Sequence, residues 1–200
     1  MEVGGRELLC ASKASAMRLP VGDPARAWLR PAGSDAADAA RLTVWRNRFV
    51  RAFLTEFEAT EERTAHWLKV SVAPDETRIL FMLDLPDGGT VGYLGLAFID
   101  WESGRGEADA VVRGAEAPGG LMTAALHTVL DWARGPLGLK ELGVRVRSDN
   151  PALAFYEKAG FCETQRVPLR GVESPGMVAW VEDPTVAEAK LSLVHMAWTG

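Results

Sequence analysis

The chain has 200 residues, 48% of them hydrophobic and 24% charged, and a formal net charge of −5. This length and apolar content are sufficient for one compact α/β domain with its own core. The acidic balance argues against nucleic-acid binding, which usually requires a basic face. The chain has two cysteines, no His/Cys cluster with metal-ligand spacing and no apolar run long enough for a bilayer. We therefore expect a cytoplasmic protein without a metal or membrane contact.

In chain order, the first part of the sequence mixes Gly, Ser, Pro and charged side chains without a sustained period. It is predicted to form a partly ordered leader, residues 1–26, before a single domain at residues 27–200. The domain is predicted to begin with a short strand at 27–30, followed by an amphipathic helix at 36–54. A second helix is expected to start at Thr60, its N-terminal cap.

Hydrophobic runs separated by Gly, Pro and Asp turns predict the strands that follow. The strands lie at residues 78–84, 91–100, 107–114, 141–150, 162–169 and 191–198, with helices at 121–133 and 151–161. A polar stretch at 171–187 is predicted to be a long loop, a feature that often folds over a bound substrate. This order predicts a mixed α/β fold with a mostly antiparallel central sheet and flanking helices.

The functional signal is concentrated at two strand-to-helix junctions. The strand at 107–114 breaks into Pro118-Gly119-Gly120, and a helix opens at once at Leu121. Such a turn presents unpaired backbone N–H groups in front of the positive end of a helix dipole, an arrangement that binds anions and above all a pyrophosphate. The second junction joins the strand at 141–150 to the helix at 151–161. Together they predict a cofactor slot between splayed strands.

At these junctions the chain resembles the GNAT acetyltransferase superfamily, over roughly residues 27–199. The segment Gly120-Leu-Met-Thr-Ala-Ala-Leu126 is similar to the end of the family's phosphate loop. The segment Asn150-Pro-Ala-Leu-Ala-Phe-Tyr-Glu-Lys-Ala-Gly-Phe161 resembles a more specific hallmark, an Asn followed by a helix ending in Tyr-Glu-Lys-x-Gly-Phe. The resemblance implies a GNAT-like fold whose splayed strands form an acyl-CoA cleft. It also implies acetyl-CoA, or another short acyl-CoA, as co-substrate and no metal.

The resemblance further implies which residues hold the co-substrate. Backbone N–H groups near Val111 and Val112 would polarise the thioester carbonyl. Asn150 would hydrogen-bond the pantetheine arm, although it is equally suited to cap the helix behind it. The complete set is Val111, Val112, Ala117, Gly119, Gly120, Leu121, Met122, Asn150 and Tyr156. Two positions depart from the family pattern, since Ala117 stands where an Arg or Gln is usual and Met122 where a Gly or Ala is usual.

For catalysis, Tyr156 is predicted to protonate the departing thiolate, because the resemblance places it beside the sulfur and a phenol stays protonated at neutral pH. The alternative is a packed core aromatic. Three residues are candidates for the catalytic base. Asp109 and Glu107 point to the same face of their strand by alternation, and His66 is a residue type suited to proton transfer near neutral pH. A reaction without a protein base is a further alternative.

For the acceptor, Trp45-Arg46-Asn47-Arg48 and the downstream Trp67 are similar to the N-terminal half of members that acetylate amino groups on nucleotide-linked sugars. The resemblance implies acceptor contacts at Trp45, Arg46, Asn47, Arg48 and Trp67. Together with Arg51, the arginines would clamp a diphosphate or another acidic group. A solvated helix face and core tryptophans are the plainer alternatives.

The function predicted from these residues is N-acetyl transfer from acetyl-CoA to a primary amine of a small molecule, by direct attack in a ternary complex. The expected acceptor is an amino sugar, with a nucleotide-linked sugar as the more specific version. An aminoglycoside-type acetylase, a protein N-terminal acetylase and a non-catalytic acyl-CoA-binding module are the alternatives. A nicotinamide-dinucleotide domain is discounted because the glycines do not fit its fingerprint. Nucleic acid and membrane are not expected as partners, and a homodimer is left open.

Overall fold

The structure of the protein, a computed structural model, describes residues 4–15 and 17–200. Within these residues the α-helices are α1 Gly5–Ala14, α2 Ala36–Arg48, α3 Glu61–Trp67, α4 Leu121–Arg134 and α5 Leu153–Lys158. A 3₁₀ turn at Val50–Ala52 follows α2, and a π-helical turn at Leu68–Val72 continues α3. The strands are β1 Leu19–Val21, β2 Ala27–Pro31, β3 Thr55–Phe57, β4 Ile79–Asp84, β5 Thr90–Asp100, β6 Arg105–Arg113, β7 Glu141–Arg147, β8 Phe161–Ser174, β9 Met177–Glu182 and β10 Ser192–Trp198.

The strands form one ten-stranded sheet in the order β1-β2-β4-β5-β6-β7-β10-β8-β9-β3. Neighbouring strands run antiparallel, except β6 and β7, which run parallel. Strand β10 lies between β7 and β8 and pairs with both. The prediction of a mixed α/β fold with a mostly antiparallel sheet and flanking helices is therefore confirmed.

The parallel strands β6 and β7 pair over a short distance and then separate. Their register covers Arg105 with Glu141, Gly106 with Leu142 and Glu107 with Gly143. Both strands continue beyond this point, to Arg113 and Arg147, without pairing to each other. The sheet therefore opens into a gap at its centre.

Apolar residues are buried on both faces of the sheet, because alternate residues of a strand point in opposite directions. On one face, Phe81 packs edge-to-face on Trp132 of α4, with ring centroids 5.6 Å apart, within the larger core. On the other face, Met82 belongs to a smaller core together with Trp45 of α2 and Leu68 of the π-helical turn. The gap between β6 and β7 thus lies between two packed layers, which hold its walls in place.

The helices on the smaller core start at the predicted caps. The Asp35 carboxylate accepts hydrogen bonds from the amides of Ala37 and Asp38, and the Thr60 hydroxyl accepts one from the amide of Arg63. The first of these helices is shorter than expected, because α2 ends at Arg48 and a 3₁₀ turn replaces its last turn. This break redirects the chain from the helix towards the central gap.

The stretch expected to be a long loop is instead mostly sheet. The outer half of β8 forms a hairpin with β9 around Gly176, whose φ of 74° suits a glycine turn. This hairpin, which we call the arm (residues 169–182), also pairs along β9 with β3. Most of its side chains are exposed or half-buried. The prediction was wrong because a strand without a buried face lacks the apolar alternation by which strands are recognised.

The structure also differs from the expected partly ordered leader. Helix α1 packs on the domain, since Leu9 is fully buried in the larger core. Lys13 donates hydrogen bonds from Nζ to the carbonyl oxygens of Val72, at 2.9 Å, and of Asp75. Strand β1 pairs with β2 at the sheet edge. Residues 1–3 and Ala16 of the expected leader lie outside the described residues, and the division into a leader and a single domain stays a prediction.

Among the described ranges, no helix combines the length and the apolar character needed to cross a membrane.

Docking of α1 predicts that Leu9→Ala destabilises the protein by about 2–5 kcal/mol, the usual cost of such a cavity in a core. Urea unfolding followed by tryptophan fluorescence measures this loss. Arg6→Ala is the matched control on the same helix, because the Arg6 side chain is 57% exposed. Equal stability of the two variants would contradict the docking of α1.

Candidate functional site

The gap between β6 and β7 is a cleft with a volume of about 1270 Å³. Its walls are the separated ends of β6 and β7, the start of α5, and the chain that follows α2, residues 48–55. This volume exceeds the ~300–1,000 Å³ of an ordinary small-molecule site. The cleft therefore has room for two reactants side by side.

A β-bulge shapes the β6 wall of the cleft. Asp109 pairs with Gly95 and Val112 with Tyr93, so that Ala110 and Val111 together lie opposite a single residue of β5. Ala110 has a φ of 52°, an uncommon conformation for a residue other than glycine. Since β7 no longer pairs with this part of β6, backbone groups here are available to a ligand. Both predicted carbonyl-polarising positions, Val111 and Val112, line the cleft.

The predicted phosphate loop lies next to this bulge. A smaller depression, which shares Val111 and Arg113 with the cleft, is lined by the loop from Ala117 to Thr123. Gly120 has a φ of 73° and directly precedes α4. All five predicted loop residues, Ala117, Gly119, Gly120, Leu121 and Met122, border this depression.

Several backbone N–H groups of this loop have no hydrogen-bond acceptor within the described chain. The amide of Leu121 donates to the carbonyl of Pro118 at 3.1 Å. Those of Gly119, Gly120 and Met122 have no acceptor within the described chain. A Cβ added at Gly119 or Gly120 would meet nothing within 4 Å, so the loop surface is open. Unpaired amides at the start of a helix of 14 residues are the arrangement that suits an anion without any side-chain charge.

Asn150 joins two walls of the cleft. Its Oδ1 accepts a hydrogen bond from the amide of Ala152 at 2.9 Å, and its Nδ2 donates to the carbonyl oxygen of Ala52 at 3.2 Å. Asn150 thus closes the turn before α5, whose N-terminal cap position is Ala152, and the same side chain fixes the 3₁₀ turn of the opposite wall. Asn150 also lines the cleft.

Tyr156 and Asp109 both line the cleft, and the charge of Asp109 acts on the Tyr156 phenol. Burial raises the pKa of the Tyr156 phenol above its ordinary value, and the charge of Asp109 raises it further. Within the described residues the Tyr156 hydroxyl has no hydrogen-bond partner. Burial also raises the pKa of the Asp109 carboxyl, against the opposing effect of Arg78 and Arg145. The site thus pairs a phenol that stays protonated with a carboxyl that titrates above its ordinary range.

The other candidate bases are placed differently. Glu107 lines the cleft, but its carboxylate accepts a hydrogen bond from Arg145 Nε at 2.7 Å in an ion pair. His66 is exposed on α3 and does not line the cleft. Of the residues named as bases, Asp109 alone is both in the cleft and free of an ion pair within the described chain.

The residues expected to contact the acceptor are mostly structural. The Trp45 ring stacks on Tyr93 and lies against Gly114, where a Cβ would be 2.0 Å from the indole. The Asn47 amide makes two hydrogen bonds with the backbone of Ala59. These contacts hold α2 against the sheet and the loop before α3, which explains why a polar and aromatic segment occurs there.

The other three residues expected to contact the acceptor are Arg46, Arg48 and Trp67. Arg46 donates to the Thr55 carbonyl oxygen at 2.7 Å and stacks on the Phe57 ring, with its guanidinium carbon 3.9 Å from the centroid. Trp67 is 37% exposed and does not line the cleft. Arg48 does line it, while donating to the Gly114 carbonyl oxygen at 2.6 Å. The structure thus brings one of the five expected acceptor residues to the cleft wall.

An ion-pair network that the sequence did not predict fixes the wall at residues 48–55. The Arg147 side chain, only 4% exposed, pairs with Glu56 at 2.5 Å and with Asp149 at 2.7 Å. Glu56 also accepts a hydrogen bond from Trp180 Nε1 of the arm at 2.8 Å. The Arg147 hydrogen bond is the largest cause that holds the pKa of Glu56 below its ordinary value. The network joins β7, β3 and the arm.

No group of three His, Cys, Asp or Glu side chains in the described part of the chain could hold a metal ion.

A family model described as an acetyltransferase (GNAT) domain matches residues 26–162, more than half of the chain. No curated protein matches the chain significantly. The similarity to nucleotide-amino-sugar acetyltransferases expected from residues 45–48 is not shown by the matches.

Several solved structures share the fold. Spermidine N-acetyltransferase from Vibrio cholerae, in complex with CoA and spermine, aligns with a TM-score of 0.67 and 14% identity over 86% of this chain and 94% of that chain. A chimera of the Vibrio cholerae enzyme aligns with a TM-score of 0.66 and 17% identity over 87% of this chain and 95% of that chain. A probable acetyltransferase aligns with a TM-score of 0.64 and 19% identity over 92% of this chain and 97% of that chain. At these identities the neighbours show the shared fold.

The ion-pair network predicts that Glu56→Gln destabilises the protein by about 1–3 kcal/mol near neutral pH, because the buried Arg147 loses one partner. Since the pKa of Glu56 is lowered in the folded state, its stabilisation is present above the unfolded value of about 4.3 and is lost as the pH falls. The variant should therefore lose less stability than the wild type on acidification, measured by urea unfolding at several pH values. Glu173→Gln, an exposed change on the arm, to which Glu56 is hydrogen-bonded through Trp180, is the control. A Glu56→Gln variant with unchanged stability at every pH would contradict this role.

Proposed function

The chain belongs to the acetyltransferase (GNAT) domain family, and on that premise we propose that it transfers an acetyl group from acetyl-CoA, or another short acyl group, to a primary amine of a small molecule. The observation that carries the proposal is one cleft with an amide-lined loop, Gly119 to Met122, next to its β6 wall and Tyr156 with Asp109 inside it. The solved neighbour with bound CoA and spermine supports an acyl-CoA co-substrate and an amine acceptor.

In this proposal the loop binds the pyrophosphate of the co-substrate through backbone amides. Its open surface at Gly119 and Gly120 and the dipole of α4 support this role. The amides do not depend on the side chains at Ala117 and Met122, so the departures from the family pattern at these positions do not remove the site. Arg113, which borders both the depression and the cleft, adds a positive charge nearby.

Asp109 is the proposed base. Its carboxylate removes a proton from the ammonium form of the acceptor, and the neutral amine then attacks the thioester carbonyl. A backbone N–H at the bulge near Val111 donates to the oxygen that becomes negative, an interaction worth roughly 3 kcal/mol in known enzymes. The raised pKa of Asp109 strengthens its carboxylate as a base, because an ideal base titrates near the working pH.

Tyr156 is the proposed acid. When the tetrahedral intermediate breaks its carbon–sulfur bond, the phenol gives its proton to the leaving thiolate. The nitrogen of the new amide loses its extra proton, which restores the phenol. Its raised pKa keeps it protonated until that moment, and its hydroxyl has no hydrogen-bond partner in the described chain that would compete. The amine nitrogen attacks the thioester directly, so no acyl-enzyme is formed.

An amino sugar remains the proposed acceptor, with a nucleotide-linked sugar as its more specific version. The support is the position of Arg48, the one residue of the segment 45–48 that lines the cleft. A non-catalytic acyl-CoA-binding module is the rival function, favoured by Ala117 and Met122 alone. Calorimetric binding of acetyl-CoA together with thiol release in the presence of an amine panel tests the proposal. Tight binding without thiol release for any amine would favour the module.

Replacement of the acid, Tyr156→Phe, is expected to lower kcat about 10²–10⁴-fold, the usual contribution of general acid–base catalysis. Binding of CoA should change little, because only the hydroxyl is removed. The matched control is Tyr93→Phe, which removes the hydroxyl of the other tyrosine, buried in the smaller core. Steady-state thiol release and calorimetry measure the two effects. If both variants retained wild-type kcat, Tyr156 would not be the acid.

Replacement of the base, Asp109→Asn, is expected to lower kcat/KM by a similar ~10²–10⁴-fold factor and to remove the rise of activity with pH through the raised pKa of this carboxyl. A carboxyl whose folded pKa lies above its unfolded pKa costs stability that grows as the pH rises from the unfolded to the folded value, and the full cost is present above it. Asp109→Asn should therefore raise Tm at neutral pH while it removes activity. Glu107→Gln tests the rival base: a flattened pH profile in that variant, with a normal profile in Asp109→Asn, would reverse the assignment.

A further inference from the structure

Arg78, at the start of β4, is a charged residue of the cleft wall that lacks a partner. Its Nε is buried and has no hydrogen-bond partner in the described chain. The side chain also forms no ion pair there, although it lines the cleft. A buried donor without an acceptor is costly, and native proteins rarely leave one in place without a reason. The guanidinium of Arg78, a residue that lines the cleft, therefore has no acceptor among the described residues.

Phe98 holds two guanidinium groups at this end of the cleft. Its ring centroid lies 6.0 Å from the guanidinium carbon of Arg78 and 4.3 Å from that of Arg145. The residue sits in a second bulge of β5 with a φ of 54°, which is strained for a bulky side chain, and it is 56% exposed. Such strain in an exposed aromatic residue is typical of a binding site, and the ring restricts the positions of both arginines.

No carboxylate of the described chain forms an ion pair with Arg78, although its charge acts on Asp75 from a distance and helps to lower the pKa of that carboxyl. The charge of Arg145 is balanced by its ion pair with Glu107, at 2.7 Å. Asp109 lies near enough to feel Arg78 electrostatically, but forms no ion pair with it. Over the whole cleft wall there are six arginines and three carboxylates. A polycation has little to pair with in such a cleft, whereas an anion does.

We propose that the amine acceptor carries an oxyanion, a carboxylate or a phosphate, and that Arg78 binds it with Phe98 and Arg145 beside it while the amine reaches Asp109. This inference rests on the proposed function, because it names the class of amine that the same cleft accepts. The guanidinium of Arg78 supplies charge-assisted hydrogen bonds to the oxyanion. The anion thereby orients the amine, and polyamines such as those bound by the solved neighbour are poor acceptors.

The first test measures anion binding without catalysis. Protein saturated with CoA, whose phosphates occupy the amide loop, is titrated by calorimetry with inorganic phosphate and, separately, with acetate. One binding site is expected for at least one of the two anions, and this comparison distinguishes phosphate from carboxylate recognition. Arg78→Gln should weaken anion binding about tenfold or more, and Arg78→Lys should weaken anion binding less. The control Arg105→Gln, an exposed change on β6, should bind as the wild type does.

The second test compares turnover of matched amines by thiol release. The pairs are glucosamine 6-phosphate against glucosamine, and β-alanine against β-alanine amide, with spermidine as the polycation. We expect kcat/KM to be at least about tenfold higher for the anionic member of one pair, and this ratio to fall towards one in Arg78→Gln but not in Arg105→Gln.

The outcomes of the two tests separate the inference from the function on which it rests. The inference would be overturned if neutral amines or spermidine were acetylated as fast as anionic amines. It would also be overturned if the anion affinity were unchanged in both Arg78 variants. Either result would leave the acetyltransferase function standing. If none of the amines supported thiol release, although anion binding depended on Arg78, the result would count against the proposed function and leave the anion site in place. Absence of both anion binding and turnover would overturn both.

Discussion

The separation of β6 and β7 is the constraint on which the rest of the structure depends. After Glu107 and Gly143 the two parallel strands stop pairing, and the backbone of β6 gives up one line of hydrogen bonds. That loss is tolerated because apolar cores on both faces hold the two strands in place. The bulge at Ala110 and Val111 turns the freed backbone towards the gap. The cleft, its open amides and its two titrating groups are all consequences of this single break in the sheet.

The buried groups of the cleft that lack partners lower the stability of the folded protein. Asp109 is buried enough that its ionised form is disfavoured, and the phenol of Tyr156 has no partner among the described residues. Arg78 likewise keeps a buried donor without an acceptor. These costs are offset in the surrounding wall, where the buried Arg147 satisfies two carboxylates at once. A paired network in one wall therefore lies beside groups that have no partner among the described residues.

The sequence predicted most of the elements that have a buried face, and it named residues of local motifs that line the cleft or the depression beside it. The glycine loop, Asn150 and Tyr156 belong to short segments that a strand–turn–helix pattern and the family resemblance place at strand–helix junctions. The prediction failed where tertiary contacts decide. Trp45 and Asn47 have the composition of a ligand-binding segment, but they pack α2 onto the sheet. Arg78 becomes notable only because Phe98, twenty residues away, is brought to its side by pairing of β4 with β5. Helix α1 and the arm were missed because neither has a long apolar stripe.

The place of β10 in the sheet has a consequence for biosynthesis. Strands β7 and β8 leave the ribosome before β10, yet in the sheet β10 lies between them and pairs with both. Until it arrives, the facing edges of β7 and β8 have no partner, although all the strands and helices that line the cleft have already been translated. Such unpaired edges favour association with other chains. We therefore expect the nascent chain to depend on holdase chaperones for the interval between the translation of β8 and that of β10.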